Sequence, residues 1–275
     1  MNDQTKAFAK AYDELNFNDD FMFGKTMEDP KLCRDVIECL LQRPVGELSP
    51  TQTQKEYKYT VDGKPIRLDV YNKDSFGTIY DTEMQNLNHK KIEDLQLPKR
   101  TRFYQSSIDI DCLDKTGLYK DLPDSNILFI CTFDPFGCGL AQYTFRPRCD
   151  EDTGLVLKSG TEWHYYNCTY KGDKIPEGLR DLYEYIRTGR PDNELTERIH
   201  SAVIKGRKNK EWRSAYMKEM VLLMDAREEG RAEERKNPER ERKKAEREHE
   251  KAERERLRAE KAEARIKELE AQLAR

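Results

Sequence analysis

The chain has 275 residues, 37% of them charged, a net charge of −3 and a mean hydropathy of −0.99. That length is ample for one large buried core or two small ones, whereas the polarity exceeds that of a uniformly globular protein. With no apolar stretch near 18 residues and no apolar leader behind the opening Met-Asn-Asp-Gln-Thr-Lys, neither a membrane span nor a signal peptide is expected.

The excess charge is local. The last 50 residues hold 17 Lys+Arg and 15 Asp+Glu, so the remainder is mildly acidic and any nucleic-acid contact has to come from a local basic patch. Seven cysteines, with no C-x-x-C pair, read as reduced thiols of a cytoplasmic protein. The four histidines are dispersed and lack zinc-ligand spacing.

Asn18 or Asp19 can cap a first helix. After Pro30, Leu32, Val36, Ile37, Leu40 and Leu41 recur at helical spacing until Pro44 stops the pattern. Residues 55–60 read as a strand. Ile66, Leu68 and Val70 then alternate with Arg67, Asp69 and Tyr71, and after the turn signal Asp74-Ser-Phe-Gly a second alternating run places Ile79, Asp81, Glu83 and Gln85 on one face. A three-stranded meander follows. With the hairpin tip near Phe76, Asp69 falls opposite Glu83, with Cβ atoms roughly 5 Å apart.

Two carboxylates so placed can hold one hard divalent cation, since Mg²⁺ takes oxygen ligands and only one or two carboxylates from protein. Taken alone, the same pair also fits the solvent face of an ordinary hairpin. Pro98 opens a second helix, with Phe103 and Ser107 on one side and Arg102 and Gln105 toward another. Lys90, Lys91, Lys99, Arg100 and Arg102, with Tyr104 among them, form the densest basic cluster outside the tail, suited to grip phosphates and stack on a base. Residues 126–133 are a nearly continuous apolar run, the mark of a strand covered on both faces. The segments 141–146 and 163–170 alternate and read as an accessory hairpin at the sheet margin.

Helical spacing resumes from Leu179 to Leu223. Beyond Asp225 the chain is almost entirely Ala, Glu, Arg and Lys, with acid-before-base pairs such as Glu239–Lys243. A seam of apolar residues occurs only at Leu257, Ile266, Leu269 and Leu273, so the end of the tail reads either as a short coiled coil that joins copies of the chain into a homo-oligomer or as a solvated single helix or frayed linker. Three regions are expected: 1–175, 176–225 and 226–275. Gly24-Lys25-Thr26 mimics the end of a phosphate-binding loop, but Asp19 stands where the first glycine belongs. No G-x-S-x-G elbow is present.

Five blocks in order carry a resemblance over about residues 15 to 230: Asn18-Asp-Asp-Phe-Met-Phe-Gly-Lys25, Arg67-Leu-Asp-Val-Tyr71, Tyr80-Asp-Thr-Glu-Met-Gln85, Leu97-Pro-Lys-Arg-Thr-Arg-Phe-Tyr-Gln105 and Phe129-Ile-Cys-Thr-Phe-Asp-Pro-Phe-Gly137. In these the chain resembles the PD-(D/E)XK nuclease family transposases, the Rpn-like recombination-promoting nucleases. The resemblance implies an α/β restriction-endonuclease-like αβββαβ core in 1–175, followed by a helical region and a charged helical tail.

It also implies a Mg²⁺-dependent DNA endonuclease acting in recombination or transposition. Asp69 and Glu83 would be metal ligands, and Glu38 or Asp20 from the first helices a further one. Gln85 stands where the wider superfamily usually has lysine and would orient the attacking water. Lys99, Arg100 or Arg102 could supply the missing charge, and with Tyr104 would bind DNA. The alternative is a DNA-binding or assembly protein that keeps the fold without turnover.

Overall fold

A computed structural model of the chain describes residues 8, 11–57, 66–87, 91–113 and 117–236, together with 249, 253, 254 and 256. The expected seam residues Leu257, Ile266, Leu269 and Leu273, and Lys90 of the basic cluster, lie outside the described residues. Two compact units divide the chain, Met1–Tyr216 and Met217–Arg275. The helical region from residue 176 therefore belongs, as far as Tyr216, to the same unit as the sheet. The second unit contains most of a long helix that ends at Lys236.

Two helices open the described core, α1 (Asp20–Thr26) and α2 (Pro30–Leu41). The Asp29 carboxylate caps α2 by accepting from the Lys31 and Leu32 amides, and Pro30 enters at the first turn, where its missing N–H costs nothing. Leu32, Val36, Ile37 and Leu40 are buried as their spacing predicts, and Gln42 stops the helix in the left-handed region. Asp19 occupies the cap position of α1, but its carboxylate accepts from the Asn16 amide behind it.

The meander follows: β1 (Gln52–Tyr57), β2 (Ile66–Lys73) and β3 (Ile79–Gln85), antiparallel neighbours. After a short helix α3 (Ile92–Leu95) come α4 (Leu97–Cys112), β4 (Ser125–Cys131), β5 (Gln142–Phe145) and β6 (Thr161–Asn167). Helices α5 (Glu177–Thr188), α6 (Glu194–Lys208) and α7 (Lys210–Lys236) complete the described order. The fold is mixed α/β, with one six-stranded sheet in the order β1-β2-β3-β4-β6-β5. Three of its pairings are antiparallel and two, β3 with β4 and β4 with β6, are parallel.

β5 and β6 form the expected antiparallel pair at the sheet margin, with β5 as the edge strand, and β6 is in addition joined to the body of the sheet through β4. Its alternation was legible; its parallel pairing with β4 was not, because a crossover pairing leaves no local signal. Among the described helices, none is long and apolar enough to cross a membrane.

One face of the sheet is covered by α4, where Leu97, Tyr104 and Ile108 pack with Ile79, Ile127, Phe129 and Tyr165. On the other face, Cys33 of α2 donates to the Asn72 carboxamide of β2, and α5 and α6 pack against α2. Gln105 and Ser107 are both buried, while Arg102 and Phe103 are exposed, so α4 presents to the sheet a different stripe from the one its sequence predicts.

The β2–β3 turn is organised by Asp74. Its Oδ1 accepts from the Phe76 and Thr78 amides, and its Oδ2 from the Tyr80 hydroxyl and the Gly46 amide. Gly77 takes a φ of 90°, which only glycine adopts without strain, and Phe76 projects into solvent at the tip. This turn sets the β2–β3 register. Asp74→Ala strands four donors at a buried position and should lower unfolding stability by about 2–4 kcal/mol, read as a shifted urea midpoint with an unchanged slope. A shift under ~0.5 kcal/mol would show that the turn holds without its carboxylate.

Candidate functional site

The β2–β3 ladder pairs Val70 with Thr82 and then stops; continuing its register puts Asp69 opposite Glu83. On the other side, the β1–β2 ladder pairs Thr53 with Val70 and Lys55 with Leu68 but omits Gln54 and Asp69 between them, and Gln54 has a φ of 54°. Asp69 thus sits where both neighbouring ladders are interrupted. The interruption also breaks the strand's alternation. Tyr71 joins Ile66 and Leu68 in the cluster under α4, whereas strict alternation assigns it to the opposite face.

In the gap the side chains take over from the backbone. The Asp69 amide donates to Glu83 Oε1 at 2.8 Å, and the Met84 amide donates to Asp69 Oδ2 at 3.3 Å. Each carboxylate therefore spends one oxygen on the opposite strand and keeps the other.

Asp81, Glu83 and Gln85 lie on the α4 face of β3, a strand buried along its whole length. Glu83 is 1% exposed and Asp81 is fully buried. Neither Asp81 oxygen has a hydrogen-bond donor among the described residues. Its side-chain neighbour is the Glu83 carboxyl, and two carboxylates cannot bond without a proton or a cation between them.

From the other side comes α4. Positions 100 and 104, one turn apart, point inward: Arg100 Nη1 donates to Gln85 Oε1 at 2.8 Å, and Nη2 to the Tyr104 hydroxyl at 2.9 Å and to Glu83 Oε2 at 3.5 Å. The guanidinium also lies over Phe129, 5.8 Å from the ring centre. The Gln85 amide nitrogen donates to the carbonyl of Met84, so both ends of this side chain are engaged within the protein.

The sequence-predicted residues are therefore partly gathered and partly dispersed. Asp69, Glu83, Gln85, Arg100 and Tyr104 converge. Lys99 and Arg102 are exposed on the outer side of α4. Tyr104 is 8% exposed and stacks on Phe129, so its ring is committed to the core and cannot stack on a base.

Asp20, the exposed first residue of α1, lies near enough to raise the pKa of Asp69. The Asn86 side chain, which donates to the Asn18 carbonyl at 2.6 Å, ties the start of that helix to the end of β3. Glu38 is spent elsewhere. Its Oε1 accepts from the Val45 amide and closes the loop after α2. Asp81, which the alternation of β3 places on the same strand face as Glu83, is among the most deeply buried carboxyls of the site, and that shared face was the available signal.

Burial dominates the electrostatics. It pushes Asp69 from 3.8 up to about 7, with Asp20 adding to the rise and the Met84 amide, Arg67 and Arg100 opposing it. It also raises Glu83 and Asp81 well above ordinary carboxyl values. The Asp69 charge adds to both, Asp81 adds to Glu83, and Arg100 pulls both down. The centre is short of positive charge.

Oxygen donors only, at least two of them carboxylates, suit a hard divalent cation, and the unpartnered Asp81 oxygens mark a place where positive charge is missing. Among the described residues, however, no group of three or more His, Cys, Asp and Glu is arranged to enclose a metal ion. Any ion here would rest on the Asp69–Glu83 pair and complete its shell with water or ligand.

Raised carboxyls have a defined sign in linkage. The folded state holds these protons more tightly than the unfolded state, so stability is complete below about pH 4 and is lost as pH rises through about 7, the Asp69 value, and beyond for the other two. In chelator, the melting temperature of the wild-type protein should therefore fall over pH 4–8. Asp81→Asn, whose amide can donate to Glu83, should flatten that fall and add on the order of 1–3 kcal/mol at pH 8. A melting temperature that rises across this range would contradict the charge deficit.

Comparison of the chain with protein-family models, with curated proteins and with solved structures gives no match, so the centre's chemistry is read from its own residues.

Proposed function

We propose that the chain is a divalent-cation-dependent DNA endonuclease built on a restriction-endonuclease-like core, of the PD-(D/E)XK transposase kind that its sequence blocks resemble. The observation that carries this reading is the carboxylate pair at the interrupted ladder, Asp69 and Glu83, each keeping one oxygen free of the backbone bonds between them, beside a single inward-facing guanidinium. The order αβββαβ from α2 to β4 supports it.

Asp69 and Glu83 would hold the cation, which when bound supplies Lewis acidity and a water of lowered pKa. The rest falls to the protein. The buried walls formed by Phe129 and Tyr104 exclude bulk water from the inner side of the site and fix α4 against β3. Lys99 and Arg102, exposed on α4, would hold backbone phosphates without reading bases. Water attacks phosphorus and gives up a proton to solvent, the P–O bond to the leaving nucleotide breaks, and that oxygen takes a proton from solvent; no covalent protein intermediate forms.

A second reading, a DNA-binding or assembly protein without turnover, draws on the fact that Asp69 and Glu83 already satisfy backbone amides across the gap. Supercoiled plasmid with Mg²⁺, with and without chelator, separates the two. The expected result is chelator-sensitive nicking or linearisation, lost at least about 100-fold in Asp69→Ala and in Glu83→Ala, the scale of removing one electrostatic element of such a site. Cleavage at the wild-type rate by both variants would remove these residues from the site.

The outward cations have their own test. Replacing Lys99 and Arg102 together with alanine should weaken binding to unrelated duplexes by similar factors and reduce the slope of log K against log salt by roughly 2. An unchanged slope would place the DNA track on another surface.

A further inference from the structure

Three cations occupy the first turns of α4, and only Arg100 faces the carboxylates, because positions 100 and 104 share one helix face while 99 and 102 turn away. Its contacts are graded. The two shorter ones, 2.8 and 2.9 Å, run to neutral groups, the Gln85 carboxamide and the Tyr104 hydroxyl; the one to the Glu83 carboxylate is long, at 3.5 Å. The guanidinium is thus held in place by groups other than the charge it neutralises, and it can release Glu83 without losing its position.

Exposure is graded in the same way. The Arg100 side chain is 30% exposed and that of Glu83 is 1%, so a phosphate arriving from solvent meets the guanidinium before the carboxylate. Three of the five guanidinium donors are used in these contacts, and an anion could take the remainder. Gln85 completes the arrangement. Its amide nitrogen is held by the Met84 carbonyl, which aims its carbonyl oxygen at Arg100; a lysine at 85 would instead set two cations side by side.

We propose that Arg100 is the exchangeable counter-ion of this centre: it neutralises Glu83 while no divalent cation is present, yields that carboxylate when one enters, and then offers its charge to the substrate phosphate. Gln85 and Tyr104 are positioning residues for it. The substrate half of this proposal rests on the nuclease reading above; the counter-ion half does not.

The two halves predict opposite signs for one substitution. Mn²⁺ titrated into the full-length protein, with free Mn²⁺ counted by electron paramagnetic resonance, should bind roughly 5-fold or more tightly to Arg100→Ala than to wild type, because a competing charge is gone. Plasmid cleavage by the same variant should fall, and added guanidinium ion should partly restore it while weakening Mn²⁺ binding. Arg100→Lys keeps the charge and should stay near the wild-type Mn²⁺ affinity. Should Arg100→Ala fail to fold by circular dichroism, Arg100→Gln, neutral but still able to hydrogen-bond, carries the same expectations.

Unchanged or weaker Mn²⁺ binding by the neutral variants overturns the proposal, as does the absence of Mn²⁺ binding by every form. Tighter binding in a protein that never cuts DNA would uphold the counter-ion and dismiss the nuclease reading. Tighter binding with cleavage undiminished would uphold the exchange and remove Arg100 from the phosphate.

Discussion

A strand buried along its whole length that carries Asp81 and Glu83 on one face imposes the central constraint on this molecule. Each buried carboxylate costs several kcal/mol in lost hydration unless charge or donors replace the water. With Asp69 added from the neighbouring strand, three carboxyl groups press on one another, and Arg100 is the only cation hydrogen-bonded to any of them among the described residues. The protein offsets part of that penalty with two backbone amides and one guanidinium and leaves the remainder as raised pKa values. Under the function proposed above, a bound cation would offset that remainder.

The interrupted ladders make the partial offset feasible. In a continuous antiparallel pair, the amides of Asp69 and Met84 would be tied up in or turned out of the ladder, and the carboxylates would have no local donors. Gln54, left-handed inside β1, lies at the register position opposite Asp69, and the β2–β3 pairing ends just short of it on the other side. The gap depends in turn on the Asp74 turn, because a slip of one residue would bring Thr82 or Met84 opposite Asp69 and move Glu83 out of reach.

The two faces of the sheet divide the labour. Under α4 lie the carboxylates, with Tyr104, Phe129 and Tyr165 stacked as an aromatic wall that holds Arg100 over the strand ends. The α2 face is scaffold: capped helices, the Cys33–Asn72 contact, and Glu38 closing its own loop. One layer of strands separates the two faces. That separation explains why Glu38, on a helix that packs well against the sheet, has no part in the site.

Local periodicity is strong here, so much of the frame can be read in the chain. The α2 stripe of Leu32, Val36, Ile37 and Leu40, the turn at Asp74 to Gly77, the apolar run of β4 and the opposition of Asp69 to Glu83 all follow from spacings of two or 3.6 residues and one glycine-bearing turn. Relations between distant segments are not periodic, and these only the tertiary structure decided. They include the pairing of β6 with β4, the turn of Tyr71 to the α4 face after the break at Asp69, and the burial of Gln105. The choice of Asp20 over Glu38 as neighbour of the centre, and of Arg100 over Lys99 and Arg102 as its cation, belongs with them. The strand relations depend on crossovers and a ladder break that leave no local signal, and the helix-borne ones on how a helix is rotated about its axis against a strand, which is set by packing volumes on both sides of the contact rather than by the order of residues in either element.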